Sequence, residues 1–203
     1  MDSNFCIIFA MIMGKSLYII AGCNGAGKTT ASYTVLPEIL DCKEFVNADE
    51  IARGLSPFNP ESTAIEAGKL MLQRINELLN KDDSFSIETT LSTKSYINLV
   101  RRAHAKGFIV KIVFFWLNSP ELAMLRVAER VRNGGHGIAE HIIRRRYASG
   151  IINLFNLYMK EVDHWVIFDN SDNPRCLIAS GGRNTETKIN IETLYNQIKS
   201  YVR

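Results

Sequence analysis

The sequence is poor in the features that mark several protein classes. No apolar stretch reaches the roughly 20 residues a helix needs to cross a bilayer, which argues against a membrane span. Residues 5–13 are apolar but follow Asp2, with neither a basic leader nor a small-residue cleavage site. They read as part of an irregular lead-in over residues 1–15, with Met11 and Met13 as alternative natural starts. The four cysteines, Cys6, Cys23, Cys42 and Cys176, form no C-x-x-C pair. That excludes a zinc ribbon or a disulfide framework and points to a reducing, cytoplasmic setting. The four histidines, His104, His136, His141 and His164, lack metalloprotease spacing. No internal repeat, low-complexity linker or L-S-G-G-Q signature occurs. A net charge of +3 is too small to indicate a nucleic-acid surface.

One motif stands out against these absences. Gly22, Cys23, Asn24, Gly25, Ala26, Gly27, Lys28 and Thr29 spell G-x-x-x-x-G-K-[ST], the phosphate-binding P-loop, and Thr30 extends the nucleotide-binding run. The apolar run Leu17–Ala21 precedes it. A helix from Lys28 to Leu36, stopped by Pro37, is predicted to follow. Glycines let backbone N–H groups turn toward phosphates, and the helix N-terminus adds partial positive charge. In this frame Lys28 reaches the β- and γ-phosphates of ATP, and the Thr29 hydroxyl ligates Mg²⁺. Cys23 lies inside the loop, where its thiol is a candidate for thiol reagents; the plainer reading is a small loop residue.

Strand-like and helix-like segments alternate over all 203 residues, with 46% hydrophobic and 22% charged positions. The expected fold is a single α/β domain, a P-loop NTPase three-layer sandwich with a mostly parallel central sheet. A short strand over 44–47 ends at Ala48-Asp49, followed by a polar loop with two prolines. Asn59 and Pro60 open a helix carrying Ile65, Leu72, Ile75 and Leu79 at helical spacing. A strand over 84–88 ends in Glu88-Thr89-Thr90, and a helix spans 94–106. The almost wholly apolar run 109–117 predicts a buried central strand. A helix from Ser119 to Arg132, a glycine break over 133–137 and a helix over 139–160 follow. A core strand at 165–168, a small strand at 176–179 and a helix over 189–202 complete the reading.

Ligands of parallel α/β sheets bind at the carboxyl ends of the strands. Those ends deliver the P-loop, Asp49, Glu88 and Asp169-Asn170. Paired carboxylates beside a P-loop suit phosphoryl transfer, one activating an acceptor hydroxyl and another holding Mg²⁺ or the acceptor. An exposed strand end for Glu88 and a helix cap for Asp49 are the structural alternatives. Arg126, Arg130 and Arg132 precede the glycine break and Arg144, Arg145 and Arg146 follow it. This is an Arg-rich helical lid over residues 126–150, able to bring guanidinium groups to a transferring phosphate. Consecutive helical residues point about 100° apart, so the three arginines of the second arm cannot all face one site. A solvated basic helix face is the alternative. A nucleic-acid patch is disfavoured because aromatic residues do not interleave. His136 in the lid loop is positioned to touch phosphate, and Asp169-Asn170-Ser171 lies where small kinases hold adenine.

Taken together, the P-loop with Asn47-Ala48-Asp49, Glu88-Thr89-Thr90, the Gly134-Gly135-His136 segment and Asp169-Asn170-Ser171 resembles the zeta-toxin kinase family over about residues 17–182. The resemblance is to the short stand-alone branch often labelled ABC-type ATPase, a label the motifs do not support. It implies an ATP- and Mg²⁺-dependent kinase acting on the 3′-hydroxyl of the sugar in UDP-N-acetylglucosamine, with a separate antitoxin protein as partner. By position it implies Asp49 as base, Glu88 as the acceptor-binding glutamate, Lys28 and Thr29 as the Walker A pair, and Arg132 and Arg145 as phosphate clamps; Thr89 and His136 are further candidates for substrate binding. Ala139 stands where short relatives usually carry proline, and the chain is shorter than the best-known toxins. A metabolic kinase with another acceptor and a nucleotide-dependent regulatory ATPase are the competing readings.

Overall fold

The computed structural model describes residues 14–135 and 137–202, without the side chains of residues 34, 35, 38 and 39. The lead-in over 1–13, Cys6 and His136 lie outside the described residues. Eighteen-residue apolar helices of the kind that cross membranes are absent among those described.

The strands are β1 Ser16–Gly22, β2 Glu44–Val46, β3 Phe85–Thr89, β4 Ile109–Trp116, β5 His164–Asp169, β6 Cys176–Gly182 and β7 Thr185–Ile189. They form one sheet in the order β2-β3-β1-β4-β5-β6-β7. The first five in that order run parallel, while β6 and β7 are antiparallel additions. The mostly parallel α/β sandwich expected from the alternation is thus present. β1 is buried along its whole length and β4 over all but its first residue, so both sheet faces are covered. That is why these strands read as continuous apolar runs.

The helices are α1 Lys28–Ile39, α2 Ala48–Leu55, α3 Ala64–Lys81, α4 Tyr96–Ala105, α5 Pro120–Arg132, α6 Glu140–Asn153 and α7 Glu192–Lys199. α6 continues through a π turn, Leu154–Tyr158, into a last turn at Met159–Glu161. α1 runs past Pro37, which sits in its last turn and costs the helix one i→i−4 hydrogen bond there. The expected loop after Asp49 is instead α2, capped by the Asn47 side chain on the Asp49 N–H at 2.9 Å. Pro60 opens a 3₁₀ turn ahead of α3 rather than the helix itself. Within α3 the buried stripe is Ala67, Met71, Ile75, Leu78 and Leu79, and Ile65 and Leu72 lie off it, exposed. The helix expected from Ser119 starts at Pro120, with Ser119 as its cap through the Leu122 N–H at 3.2 Å. β6 is longer than expected, β7 was not anticipated, and Ile189 belongs to β7 rather than to the last helix.

At the end of the sheet away from the P-loop, Asp163 ties three elements together. Its Oδ2 accepts from the Val110 N–H at 2.8 Å and lies 2.8 Å from His104 Nε2, and its Oδ1 is 2.6 Å from the Arg183 guanidinium. Burial alone would raise its pKa, but the Val110 N–H, His104 and Arg183 outweigh that and hold it below the ordinary carboxylate value. The stabilisation is therefore present above the unfolded pKa and lost as the pH falls through the folded one. Asp163→Ala is expected to cost about 2–3 kcal/mol in urea unfolding at neutral pH. The gap from wild type should narrow as the pH is lowered below about 5.

Candidate active site

The loop between β1 and α1 wraps the helix N-terminus, with Gly22, Gly25 and Gly27 at φ of +141°, +78° and +78°. A side chain at Gly25 would place its Cβ 2.7 Å from the Ala123 carbonyl oxygen, so only glycine lets the loop lie against α5. Two further contacts brace it. Asn170 donates its Nδ2 to the Ala26 carbonyl at 2.8 Å, and Arg126 donates to the Asn170 and Ser171 carbonyls at 2.8 and 2.7 Å. Asp169 accepts from the Ser171 N–H at 2.8 Å. The Asp169-Asn170-Ser171 segment expected at adenine therefore buttresses the P-loop and is not part of the cleft lining.

β3 lies beside β1 in a register that pairs Ile20 with Glu88. The Glu88 carboxylate consequently meets the P-loop: Thr29 Oγ1 donates to it at 2.8 Å, Asn47 Nδ2 donates at 2.9 Å, and Lys28 Nζ stands 3.6 Å away. Lys28 also donates to the Cys23 carbonyl at 2.9 Å. Glu88 is 10% exposed and Lys28 7% by side chain, so this pair is inward-facing rather than a solvated strand end. The glutamate assigned to the acceptor by resemblance instead sits on Lys28 and Thr29. A hydroxyl and a carboxylate side by side are hard oxygen donors that fit Mg²⁺.

Asp49 stands in the first turn of α2, exposed at the cleft wall. Its carboxylate has no hydrogen bond or salt bridge among the described residues, which leaves it open to an incoming hydroxyl. Thr89 also lines the cleft, with Thr90, Ser92, Thr93 and Tyr96 beyond it. The cleft measures about 1020 Å³, and five cations line it against three carboxylates. That surplus favours an anionic ligand.

The lid arginines separate by helical phase. Arg126 and Arg130, one turn apart on α5, line the cleft, as does Arg146 on α6. Arg146 reaches the P-loop, donating to Asn24 Oδ1 at 3.2 Å, while Arg144 pairs outward with Glu121 at 2.7 Å. Arg132 and Arg145 are exposed and are not brought to the cleft. Two residues past Arg130 is about 200° around the helix, and one residue before Arg146 is about 100°. Arg53, also on the cleft wall, was not anticipated.

The glycine break is a defined helix stop. Gly134 adopts φ +81°, its N–H bonds the Val131 carbonyl at 3.0 Å, and the Gly135 N–H bonds the Arg130 carbonyl at 2.8 Å. This is the Schellman pattern.

The sequence profile described as Zeta toxin matches residues 13–178. The chain belongs to the zeta toxin family. An uncharacterized protein of Haemophilus influenzae is 30% identical over 136 residues, which is 67% of this chain and 95% of that one. Among solved structures, the AvrRxo1-ORF1:AvrRxo1-ORF2 complex with sulphate ions superposes with a TM-score of 0.76 at 16% identity, covering 93% of this chain. The chain spans only 64% of that protein's length. The same complex with ATP gives 0.71. The PezAT chromosomal toxin-antitoxin system of Streptococcus pneumoniae gives 0.65 at 17% identity, covering 96% of this chain and 83% of that one. These likenesses show that the zeta toxin family member described here has the fold of those proteins.

Cys23 is 5% exposed, and burial pushes its thiol up to about 11 despite the nearby Lys28 and Arg126 charges. Burial of the thiol favours the reading of Cys23 as a small loop residue over that of a reagent-sensitive one. In a Cys6→Ser background, Cys176 is expected to react first with a disulfide reagent at pH 8, where only about one Cys23 thiol in a thousand is ionised. Mass mapping of the labelled cysteine checks the order.

Proposed function

We propose that the chain is a kinase that transfers the γ-phosphoryl group of ATP to a sugar hydroxyl of a nucleotide sugar such as UDP-N-acetylglucosamine. The observation that carries the reading is the uncommitted Asp49 carboxylate, held in the same cleft as Lys28, Thr29, Arg130 and Arg146. ATP occupies the P-loop, with Gly22 to Thr30 around its phosphates and Lys28 on the β- and γ-phosphates. The ATP-bound AvrRxo1 complex supports this placement. Thr29 and Glu88 would hold Mg²⁺, which would supply charge neutralisation of the phosphates. Asp49 accepts the proton of the acceptor hydroxyl as the new P–O bond forms and the bond to the β-phosphate bridging oxygen breaks. Arg130 and Arg146 stabilise the charge on the moving phosphoryl group, the role that resemblance gave to Arg132 and Arg145. Thr89 and its hydroxyl-bearing neighbours hydrogen-bond the sugar. Buried thiols at Cys23 and Cys42 accord with a cytoplasmic enzyme. The neighbours crystallised with ORF2 and within a toxin-antitoxin system support a separate antitoxin protein as partner.

Transfer of labelled γ-phosphate from ATP to UDP-N-acetylglucosamine, other nucleotides and free sugars tests the reading. A phosphorylated nucleotide sugar is expected, reduced about 10²- to 10⁴-fold in Asp49→Asn. Full transfer by that variant sinks the base assignment. Product only from another acceptor leaves the mechanism and removes the substrate. Arg130→Ala and Arg146→Ala are each expected to lower kcat about 10²-fold or more. Arg132→Ala and Arg145→Ala should change it little, and equal losses from all four would overturn the choice of arginines.

A further inference from the structure

The helix α6 is tied to the ends of two strands by directional bonds that the proposed reaction does not use. Its core side is the stripe Ile143, Tyr147, Gly150, Ile151 and Leu154. Tyr147 is 2% exposed, and its hydroxyl donates to the Leu117 carbonyl at 2.6 Å. Farther along, Asn153 Nδ2 donates to the Leu91 carbonyl at 2.8 Å, and the Tyr158 hydroxyl donates to the Thr93 carbonyl at 2.9 Å. A Cβ at Gly150 would lie 2.5 Å from the Thr90 carbonyl oxygen, so the helix backbone itself rests against that strand end. The far half of α6 is thus held to the segment after β3, while Tyr147 holds the near half to the segment after β4.

Tyr147 follows Arg146 directly, about 100° around the helix from it. The tyrosine points into the core, while Arg146 is half-buried at the cleft and donates to Asn24 Oδ1 at 3.2 Å. The carbonyl that accepts from Tyr147 is itself fixed relative to the P-loop. Leu117 follows β4, whose Phe115 pairs with Gly22 at the start of that loop. The preceding residue, Trp116, accepts from the Asn170 N–H at 2.9 Å, and the Asn170 side chain donates to the Ala26 carbonyl. The contacts therefore close a ring that runs from the P-loop through β4, Leu117, Tyr147 and Arg146 back to Asn24. Apolar packing of Ile143 and Ile151 holds the helix against the core but is non-directional. The tyrosine hydroxyl adds a directional bond, which opposes rotation about the helix axis and slide along it. Tyr201 seats the ring, with the two centroids 5.4 Å apart and edge-to-face.

We infer that Tyr147 is the positioning residue for Arg146, its bond to Leu117 setting the helical phase that sends Arg146, rather than Arg145, to the moving phosphoryl group. This rests on the kinase reading with Arg146 at that group, and it adds the residue that aims the arginine. A donor that must swing into place as charge develops stabilises it less than one already oriented. A small rotation of α6 is magnified at the end of a side chain as long as arginine. Loss of the Tyr147 hydroxyl removes only the directional bond, because the ring, its contact with Tyr201 and the apolar stripe stay in place.

The test is steady-state turnover of γ-labelled ATP by the full chain, read both as transfer to UDP-N-acetylglucosamine and as release to water. Either acceptor reports Arg146, because the phosphoryl group is the same. Tyr147→Phe is expected to lower kcat about 3- to 10-fold with KM for ATP little changed. Tyr158→Phe, which loses the corresponding bond at the far end of the helix, is expected to keep the wild-type kcat. Binding of a non-hydrolysable ATP analogue as in wild type reports that each variant is folded. In an Arg146→Ala background Tyr147→Phe should cost nothing further, because the two residues act as one unit. Wild-type kcat in Tyr147→Phe, a loss matched by Tyr158→Phe, or an undiminished loss in the Arg146→Ala background overturns the positioning role while leaving the kinase reading standing. Wild-type turnover by Arg146→Ala removes that arginine from the reaction, and the inference with it. A wild-type chain that turns over ATP with neither acceptor overturns both readings.

Discussion

The Glu88 carboxylate is the contact on which the site depends. It joins the P-loop to the strand beside it, accepting from Thr29 and Asn47 with the Lys28 ammonium close by. A parallel register that pairs Ile20 with Glu88 puts the carboxylate level with the first turn of α1. A slip of one residue would turn Glu88 to the opposite sheet face. The buried charges are tolerable because they are paired and hydrogen-bonded; an isolated carboxylate or ammonium at this depth would cost several kcal/mol. Asn47 extends the arrangement outward. Its Nδ2 holds Glu88 while its Oδ1 caps α2 at the Asp49 N–H. One asparagine thus couples the phosphate-binding end of the cleft to the helix that presents the proposed base, and the separation of donor and acceptor is set by short, directional bonds.

The cleft's remaining charge is handled by helical phase. Arg126 and Arg130 fall one turn apart on α5, and Arg126 is fixed to the Asn170 and Ser171 carbonyls, where it braces the P-loop. On α6 the three adjacent arginines diverge, one to Glu121, one outward and one to Asn24. A run of arginines in sequence is therefore a single arginine at the site. The same rule explains Arg53, which shares the face of Asp49 because the two are one turn apart on α2.

Much of this was legible from the residues alone, and the misses have identifiable causes. The P-loop and β4 could be read because their signals are local: glycine spacing in one and an unbroken apolar run in the other. α2 was missed because Asn47-Ala48-Asp49 follows a strand and Pro57 and Pro60 follow soon after, so punctuation outweighed the cap. Reading Asn47 as an N-cap would have placed Asp49 and Arg53 on one face, at the cleft wall. The choice of lid arginines could not be made from sequence, since a break over 133–137 leaves the phases of α5 and α6 independent of each other. β7 carries no buried position, so no periodicity announces it. Ile65 and Leu72 misled for the opposite reason, being apolar on a face that the sheet does not cover.

The ending of α5 bears directly on what the lid does. A glycine pair between two basic helices suggests a loose hinge, yet Gly134 and Gly135 close a Schellman motif whose accepting carbonyls belong to Val131 and Arg130. A Cβ at Gly135 would lie 2.7 Å from the Arg130 carbonyl oxygen, so the turn closes tightly on the arginine's own backbone. The glycines therefore fix the point from which the Arg130 guanidinium extends. Electrostatic stabilisation of a phosphoryl group is most effective when the donor is already oriented before charge develops. Arg146 meets the same requirement by its bond to Asn24 in the P-loop. The two arginines are thus positioned by their backbones and neighbours, and a glycine-rich segment that looks like freedom in the sequence acts in the structure as a constraint.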